Sequence, residues 1–286
     1  MSLTKMDSND NIRKEKLGKR EKKEMYEQLI EIVKQAGTMI KEAHKQEIPV
    51  YDKEGIANFV TKYDKDVQSF LIRNFRQLIP EANFLAEEDG IRQELGDGYC
   101  FIIDPIDGTT NFIFDYKSSC VSVGLAWKGR MQFGVVYNPY TEELYTAIKG
   151  EGAYKNGKRI HSSEKGLSEN LAAFGCARYN SNETTETDRI FRYAKVLYLH
   201  TLAIRSSGSA ALDICRVASG SNGIYVELML HPWDYAAASL ILMEAGGFIS
   251  TLEGAMITLD RPCSVIAAGR QCWKEATQLF KAVDGK

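Results

Sequence analysis

The sequence predicts a layered α/β protein, and three features of its pattern lead to this fold class. Apolar residues recur at helical spacing in two segments before residue 80, short alternating runs occupy residues 99–160, and strand and helix patterns alternate after Ser162. We therefore expect an N-terminal α+β half over residues 25–165 and a C-terminal α/β half over residues 166–286, packed as one unit.

The N-terminal part of the chain is predicted to combine a charged arm with two helices. Residues 1–24 are dominated by Asn, Asp, Lys, Arg and Glu, which bury little surface, so we predict a flexible arm there. A long amphipathic helix begins at Met25 and ends before Pro49, and a second helix follows Asp64 and ends before Pro80.

Strand patterns dominate the middle of the chain. A short strand is predicted over residues 83–86, and runs separated by Lys-Gly-Arg, Asn-Pro-Tyr and Asn-Gly-Lys turn signals predict an antiparallel sheet over residues 99–160. The elements predicted after Ser162 are a strand over 171–176, a helix near 186–199, a helix from Ser209, a strand over 224–227, a helix from Asp234, and a closing strand and helix.

Composition excludes several classes of protein. The 286 residues carry a formal net charge of -2, which provides no basic excess for nucleic acid as the main partner. The six cysteines form no Cys-x-x-Cys pair, so we expect buried thiols in a reducing compartment rather than a zinc or redox site. No run reaches the ~20 apolar residues of a membrane span, and the N-terminus lacks the apolar segment of a signal peptide. These features predict a cytoplasmic protein that acts on a small molecule, with no membrane partner.

Two aspartates follow an apolar run in the segment Phe-Ile-Ile-Asp104-Pro-Ile-Asp107-Gly-Thr-Thr-Asn. Pro105 fixes its own φ and removes a donor, so the turn is rigid and the carbonyl of Ile106 can serve as a further oxygen ligand. Mg²⁺ prefers such a stiffly held set of oxygens. From Gly108 a short helix is predicted to begin, and its first N–H groups can hold phosphate. The alternative is a plain loop, because Asp-Pro and Asp-Gly are common turn formers.

Other carboxylates occupy similar positions at the ends of predicted elements. Glu87 and Glu88 follow the strand over residues 83–86, although acidic runs are often solvated loops. Asp234 and Asp64 each stand at a predicted helix start, where the alternative is a helix N-cap. The four histidines show no paired ligand spacing, so acid–base work is expected to fall to carboxylates and water.

Together these segments resemble the inositol monophosphatase family over nearly the whole chain. Its two signatures here are Asp104-Pro-Ile-Asp107-Gly-Thr-Thr-Asn-Phe and Trp233-Asp234-Tyr-Ala-Ala-Ala-Ser, the second followed by Glu244-Ala-Gly-Gly. The resemblance implies the family's layered αβαβα sandwich, shared with fructose-1,6-bisphosphatase and commonly a homodimer. It also implies Mg²⁺-dependent, lithium-sensitive hydrolysis of a small phosphate monoester by activated water, with inositol monophosphate as the first candidate.

The resemblance implies two to three Mg²⁺ ions in each site. One ion would bind Glu87, Asp104 and the Ile106 carbonyl. A second would bind Asp104, Asp107 and Asp234, so that Asp104 bridges the two. Glu87 would also help to hold a weaker third ion.

The resemblance also assigns the catalytic and phosphate-binding residues. Thr109, backed by Asp64, would orient and deprotonate the attacking water, and Glu87 is the third implied catalytic residue. The backbone of Gly108 and Thr109 would hold the phosphate. Lys53 matches a family lysine near that phosphate, although an exposed lysine in a polar loop is also an ordinary surface charge.

The substrate side is implied by a loop and a strand of the C-terminal half. The loop is similar to one that hydrogen-bonds the polyol, and the strand residue Glu227 is similar to a carboxylate that accepts hydroxyl groups. The alternatives are an ordinary helix start and a buried strand glutamate. The implied substrate-binding residues are Gly208, Ser209, Ala210, Glu227, Asp107 and Asp234.

One segment departs from the family pattern beside the site. Family members often carry a His and a Pro where this chain has Phe114-Asp-Tyr-Lys117, and Lys117 could bring positive charge toward a second phosphate or a carboxylate. Fructose 1,6-bisphosphate, histidinol phosphate, NADP and 3′-phosphoadenosine phosphates therefore stay open as substrates. A second alternative is a non-catalytic regulatory protein on the same fold, which contacts RNA or a polymerase through its basic arm.

Overall fold

The computed structural model describes residues 19–44, 50–52, 59–88, 95–176 and 184–285 of the chain. The helices within these residues are α1 (Lys19–Ala43), α2 (Lys62–Leu78), α3 (Thr109–Ile113), α4 (Thr184–His200), α5 (Ala210–Ala218), α6 (Pro232–Glu244) and α7 (Arg270–Val283). The strands are β1 (Val50–Asp52), β2 (Phe59–Thr61), β3 (Asn83–Ala86), β4 (Tyr99–Asp107), β5 (Cys120–Trp127), β6 (Arg130–Asn138), β7 (Glu143–Ile148), β8 (Gly152–Lys155), β9 (Lys158–Ile160), β10 (Leu171–Phe174), β11 (Ala203–Arg205), β12 (Ile224–Leu230), β13 (Phe248–Ser250) and β14 (Cys263–Ala268).

Two sheets form the framework of the described chain. The larger has seven strands in the sequential order β3 to β9, with β3 parallel to β4 and every other pair antiparallel. The smaller has the order β11-β10-β12-β14-β13, with β10 parallel to both of its neighbours. A separate antiparallel pair joins β1 to β2.

The helices lie in three layers around these sheets. Helices α1 and α2 cover one face of the large sheet, where Phe101 and Ile103 of β4 point, whereas Ile102 of the same strand points to the opposite face. Helices α5 and α6 fill the space between the two sheets, and α4 and α7 cover the outer face of the small sheet. The predicted layered αβαβα architecture is therefore confirmed.

Helix α6 is packed tightly because it is apolar on all sides and lies between two sheets. A Cβ atom at Gly134 of β6 would lie 2.6 Å from the carbonyl oxygen of Ala237, so only glycine permits this approach of helix to sheet. At the other end of α6, the carboxylate of Glu244 accepts hydrogen bonds from the N–H groups of Gly150 and Gly152, at 2.7 and 2.9 Å. The signature Glu244 thus fixes the helix that begins at the site.

Most predicted elements are confirmed, with shifts at their ends. Helix α1 begins at Lys19, inside the segment predicted as an arm, because Lys, Arg and Glu favour a helix that the buried Tyr26 anchors to the sheet. The rest of that arm lies outside the described residues. Helix α6 begins at Pro232 rather than at Asp234, and β12 continues to Leu230.

The boundary predicted near residue 165 remains a prediction. The large sheet ends at β9 and the small sheet begins at β10, so residue 165 lies between them. In the part of the chain that the structure describes, none of the helices has the length and apolar character needed to cross a lipid bilayer.

Candidate active site

A bulge at the end of β4 turns two aspartates to the same face of the sheet. Asp104 pairs with Ser122 of β5 and Asp107 pairs with Cys120, so three steps along β4 match two along β5. In a regular strand, residues three apart point to opposite faces of the sheet. The extra residue of the bulge changes the alternation, so that Asp104 and Asp107 point to the same face. Ile106 packs instead into the outer core beneath α1 and α2. Both aspartates lie within the last residues of the strand, at the strand end that the sequence had indicated.

Asp64 and Asp234 occupy equivalent positions, each the third residue of its helix. Asp64 Oδ2 accepts hydrogen bonds from the N–H and hydroxyl of Thr61, at 2.7 and 2.6 Å. Asp234 Oδ2 accepts from the N–H of His231 at 2.7 Å. The interpretation of both aspartates as N-caps is wrong, because Thr61 and His231 are the N-cap residues. Each helix start therefore fixes one carboxylate oxygen. The positive end of the helix dipole also favours the negatively charged form of that carboxylate.

Glu87 and Glu88 diverge after β3. The N–H of Glu87 donates to Ile103 of β4 at 3.2 Å, and Glu87 faces the same cavity as Asp104. Glu88 is buried, and its backbone exchanges two hydrogen bonds with the side chain of Gln68 on α2, at 3.0 and 2.9 Å. Gln68, which the sequence analysis missed, thus fixes the loop that carries Glu87.

The turn after Asp107 places Thr109 beside Asp64. Gly108 has φ of 89°, and a Cβ there would lie 3.0 Å from the carbonyl oxygen of Gly208. The predicted short helix then begins as α3, and the Thr109 hydroxyl lies 3.1 Å from Asp64 Oδ1 and 3.1 Å from the Ile106 carbonyl oxygen. Because the first N–H groups of a helix have no partner within it, this turn can accept an anion.

The C-terminal half contributes the opposite wall of the site. Asp107 Oδ2 accepts hydrogen bonds from the Ser209 hydroxyl and, at 2.8 Å, from the N–H of Ala211 at the start of α5. The side-chain amide of Asn111 donates to the carbonyls of Ser118 and Ser207, both at 2.7 Å. Ser209 therefore holds a predicted metal ligand, and Asn111, whose role no sequence signal indicated, joins the two walls.

These residues enclose a cavity of about 430 Å³. The described residues that line it include six carboxylates and no Lys, Arg or His. Asp213 forms an ion pair with Arg216 at 2.9 Å. The described lining residues are Glu87, Asp104, Ile106, Asp107, Gly108, Thr109, Thr110, Asn111, Gly175, Cys176, Ser206, Gly208, Ser209, Ala210, Asp213, Tyr225, Glu227, Leu230 and Asp234.

Burial and mutual repulsion raise the pKa values of the cavity carboxyls. Burial, then the charges of Glu87, Asp107 and Asp234, raises the pKa of Asp104 well above its ordinary value. Burial raises the pKa of Asp107 to about 6, against hydrogen bonds from Ser209 and Ala211 that favour the charged form. The pKa of Asp234 is also raised, by burial and then by Asp107 and Glu87. The site therefore concentrates negative charge that a bound cation would neutralise.

The donor set fits Mg²⁺, although it is not a closed cage. Among the described residues no three His, Cys, Asp or Glu side chains converge closely enough to hold a metal ion by themselves. Protein sites for Mg²⁺ combine one or two carboxylates with carbonyl, water and substrate oxygens. Glu87, Asp104 and Ile106 line the cavity, and their two carboxylates and the Ile106 carbonyl can supply such a set.

The raised pKa values predict how stability changes with pH. The metal-free native protein binds more protons than the unfolded chain between the ordinary Asp pKa of 3.8 and the Asp107 pKa of about 6. Stability therefore decreases as the pH rises through this window. We expect Mg²⁺ to increase the melting temperature more at about pH 7.5 than at about pH 5.5, where protons compete for the carboxylates. Scanning calorimetry of the chelator-treated protein measures this, and equal Mg²⁺ shifts at both pH values would contradict it.

Two lysines singled out in the sequence are not among the described lining residues. Lys53 lies outside the described residues. Lys117 pairs with Asp115 at 2.8 Å and lies over the ring of Tyr140, and its approach to a second phosphate or a carboxylate of the substrate remains a prediction. Asp115 and Lys117 have φ values of 52° and 62°, left-handed backbone that residues other than glycine rarely adopt.

Comparison with known proteins agrees with this geometry. The profile of the inositol monophosphatase family matches residues 21–284. Inositol monophosphatase 1 of Bos taurus is 36% identical over 226 residues, which are 77% of this chain and 80% of that protein.

Solved structures show the same likeness. The IMPase of Thermotoga maritima has a TM-score of 0.80 at 29% identity, over 90% of this chain and 96% of its own. The IMPase-II of Staphylococcus aureus, solved with inositol monophosphate bound, has a TM-score of 0.76 at 27% identity. The alignment covers 89% of this chain and 92% of the Staphylococcus aureus chain. It has also been solved with 2′AMP bound. The chain thus belongs to the inositol monophosphatase family, whose members are phosphoric monoester hydrolases.

Proposed function

We propose that this chain hydrolyses a small phosphate monoester in a Mg²⁺-dependent reaction, with inositol monophosphate as the first candidate substrate. The observation that carries the proposal is the cavity itself, where six carboxylates face a helix start and a Thr109–Asp64 hydrogen bond. Such a cavity repels a free phosphate dianion unless bound cations offset the negative charge of the carboxylates. Its volume is in the range of small-molecule sites.

The proposed metal ligands divide into two overlapping sets. Glu87, Asp104 and the Ile106 carbonyl would hold one ion, and Asp104, Asp107 and Asp234 a second, with Glu87 also contributing to a weaker third. Because these side chains do not converge into a closed site, water and substrate oxygens would complete each set. When bound, Mg²⁺ supplies Lewis-acid chemistry, because it lowers the pKa of water and offsets charge on phosphoryl oxygens.

The chain's own groups orient the reactants. The N–H groups of Gly108 and Thr109 would bind phosphate oxygens, and the Thr109 hydroxyl, donating to Asp64, presents its lone pairs to a water molecule. That water would lose its proton toward Thr109 and Asp64 as it attacks phosphorus. Lys53 is proposed as a further phosphate contact.

The far end of the cavity would receive the leaving alcohol. The proposed contacts to this alcohol are Gly208, Ser209, Ala210, Glu227, Asp107 and Asp234, all of which line the cavity. The described lining has carboxylates that can accept hydrogen bonds but no Lys, Arg or His, so it favours a polyhydroxylated leaving alcohol over an anionic one. This preference supports inositol monophosphate, which binds the Staphylococcus aureus relative.

Other assignments stay open within the same chemistry. Fructose 1,6-bisphosphate, histidinol phosphate, NADP and 3′-phosphoadenosine phosphates are alternative substrates, and the 2′AMP complex of that relative supports a nucleotide. A non-catalytic role with RNA or a polymerase is the second alternative. A homodimer in the cytoplasm remains our prediction for the state of the protein.

The test is phosphate release from a panel of these esters, with and without Mg²⁺. We expect Mg²⁺-dependent release, fastest from inositol 1-phosphate. Protein carrying Asp107→Asn, purified identically, controls for contaminating phosphatases. The absence of release from every ester by folded protein would overturn the proposal, and faster release from another ester would reassign the substrate.

A further inference from the structure

Two side chains of β12 form a hydrogen-bonded pair in the wall of the cavity. Tyr225 and Glu227 are two residues apart, so they point to the same face of the strand. Both line the cavity, and they are 1% and 6% exposed. The Tyr225 hydroxyl donates a hydrogen bond to Glu227 Oε2. The tyrosine therefore fixes one oxygen of a carboxylate whose burial leaves little room for movement.

The backbone at Gly175 confines the same carboxylate from the neighbouring strand. Gly175 follows β10, and its N–H donates to the carbonyl of Val226 at 2.9 Å, which extends the pairing of β10 with β12. A Cβ atom at residue 175 would lie 1.9 Å from Glu227 Oε2 and 2.5 Å from Oε1. Glu227 thus lies directly against this glycine and cannot rotate toward β10.

The charges around Glu227 determine which ligand group can meet it. Asp234 lines the same cavity, so a second carboxylate adds negative charge near Glu227. No Lys, Arg or His is among the described residues of the lining. An anionic group on the leaving alcohol would be repelled here, whereas an uncharged hydroxyl can donate a charge-assisted hydrogen bond.

We propose that Tyr225 is a specificity-determining positioning residue, which holds Glu227 so that its carboxylate accepts a hydrogen bond from a hydroxyl of the leaving alcohol. The proposal rests on the proposed function and adds the means by which polyol esters are preferred. Without the tyrosine hydroxyl, the carboxylate loses a donor and its fixed orientation, and the polyol loses a preorganised acceptor. An ester whose leaving group has no hydroxyl donor gains nothing from this pair.

The test is a double-mutant cycle on two esters. KM and kcat are measured for the wild type, Tyr225→Phe, Glu227→Ala and the double variant, with inositol 1-phosphate and with p-nitrophenyl phosphate. We expect Tyr225→Phe to raise KM for inositol 1-phosphate about fivefold or more and to change kcat less than about twofold. In the Glu227→Ala background the same substitution should have no further effect. For p-nitrophenyl phosphate all changes should stay within about twofold.

A matched control removes another buried, hydrogen-bonded tyrosine hydroxyl. Tyr193 in α4 of the outer layer donates to Asp284 Oδ2 at 2.7 Å, so Tyr193→Phe reproduces the loss of stability without altering the cavity. It should leave both KM values unchanged. Glu227→Leu, which also removes the acceptor of the Tyr225 hydroxyl, replaces Glu227→Ala if the alanine variant does not fold.

Three results would overturn the proposal: equal losses on both esters, additive losses in the double variant, or an unchanged KM in Tyr225→Phe. If the wild type hydrolyses neither ester, the proposed function fails, and calorimetric binding of inositol 1-phosphate with Mg²⁺ then decides this inference. Weaker binding by Tyr225→Phe but not by Tyr193→Phe would support it, and equal or absent binding in all variants would overturn it.

Discussion

Asp107→Asn is expected to lower turnover at saturating Mg²⁺ by at least ~10²-fold with the fold intact. The amide oxygen of Asn can still accept the hydrogen bonds from Ser209 and Ala211 that now reach Oδ2. Its NH₂ group then takes the place of the other carboxylate oxygen. The variant therefore keeps its anchoring contacts and loses only the negative charge that the site uses to hold a cation.

The same substitution is expected not to destabilise the metal-free protein. Burial and carboxylate repulsion raise the pKa of Asp107 to about 6, so the charged form is disfavoured in the native state at neutral pH. Removing the charge relieves this cost, and we expect a melting temperature without Mg²⁺ equal to or above that of the wild type. With Mg²⁺ the order should reverse, because the variant gains less from binding.

The measurement combines steady-state kinetics over a Mg²⁺ titration with calorimetry of the same samples. Asp188→Asn is a suitable control, since it removes one negative charge from an exposed position on α4. We expect no change in turnover for the control. Asp234→Asn should behave like Asp107→Asn, because the N–H of His231 can still donate to its amide oxygen. Near-wild-type turnover of either site variant at saturating Mg²⁺ would contradict the metal assignment.

The sequence was sufficient for the elements that carry a clear period. Helix α2 and the strands from β4 to β7 match the predicted order because apolar residues repeat over enough positions to define one face. Strands β1, β2, β9, β11 and β13 have three residues each, too few for a period to be recognised. They are strands because a neighbouring segment pairs with them, and that pairing is a tertiary property.

The candidate site was predicted in composition but not in geometry. The spacing of Asp104 and Asp107 would place them on opposite faces of a regular strand, and only the observed bulge brings them together. Gln68 and Asn111 act on partners 20 and 96 residues away, so no local pattern could indicate them. The Thr61-x-x-Asp64 capping box was readable, since a threonine three residues before an acidic residue is its sequence signal.

Thr109→Ala is expected to lower kcat by about 10²-fold or more, whereas Thr109→Ser should stay within about tenfold of the wild type. The hydroxyl has one proton and two nearby acceptors, Asp64 Oδ1 and the Ile106 carbonyl, each at 3.1 Å. When the hydroxyl donates to Asp64, its oxygen can accept a hydrogen bond from a water molecule. The Ile106 carbonyl oxygen then stays available to bind a cation. Alanine removes this relay, and serine retains it without the methyl group.

Asp64→Asn tests the direction of that hydrogen bond. The Asn oxygen would keep both contacts to Thr61, so its NH₂ group would face Thr109 and turn the hydroxyl proton toward the Ile106 carbonyl. Both the water acceptor and the metal ligand are then impaired, and we expect kcat to fall about as far as in Thr109→Ala. The double variant should be no slower than either single one, because the two residues act in series. A rise in KM with unchanged kcat in Thr109→Ala would instead show that Thr109 only binds substrate.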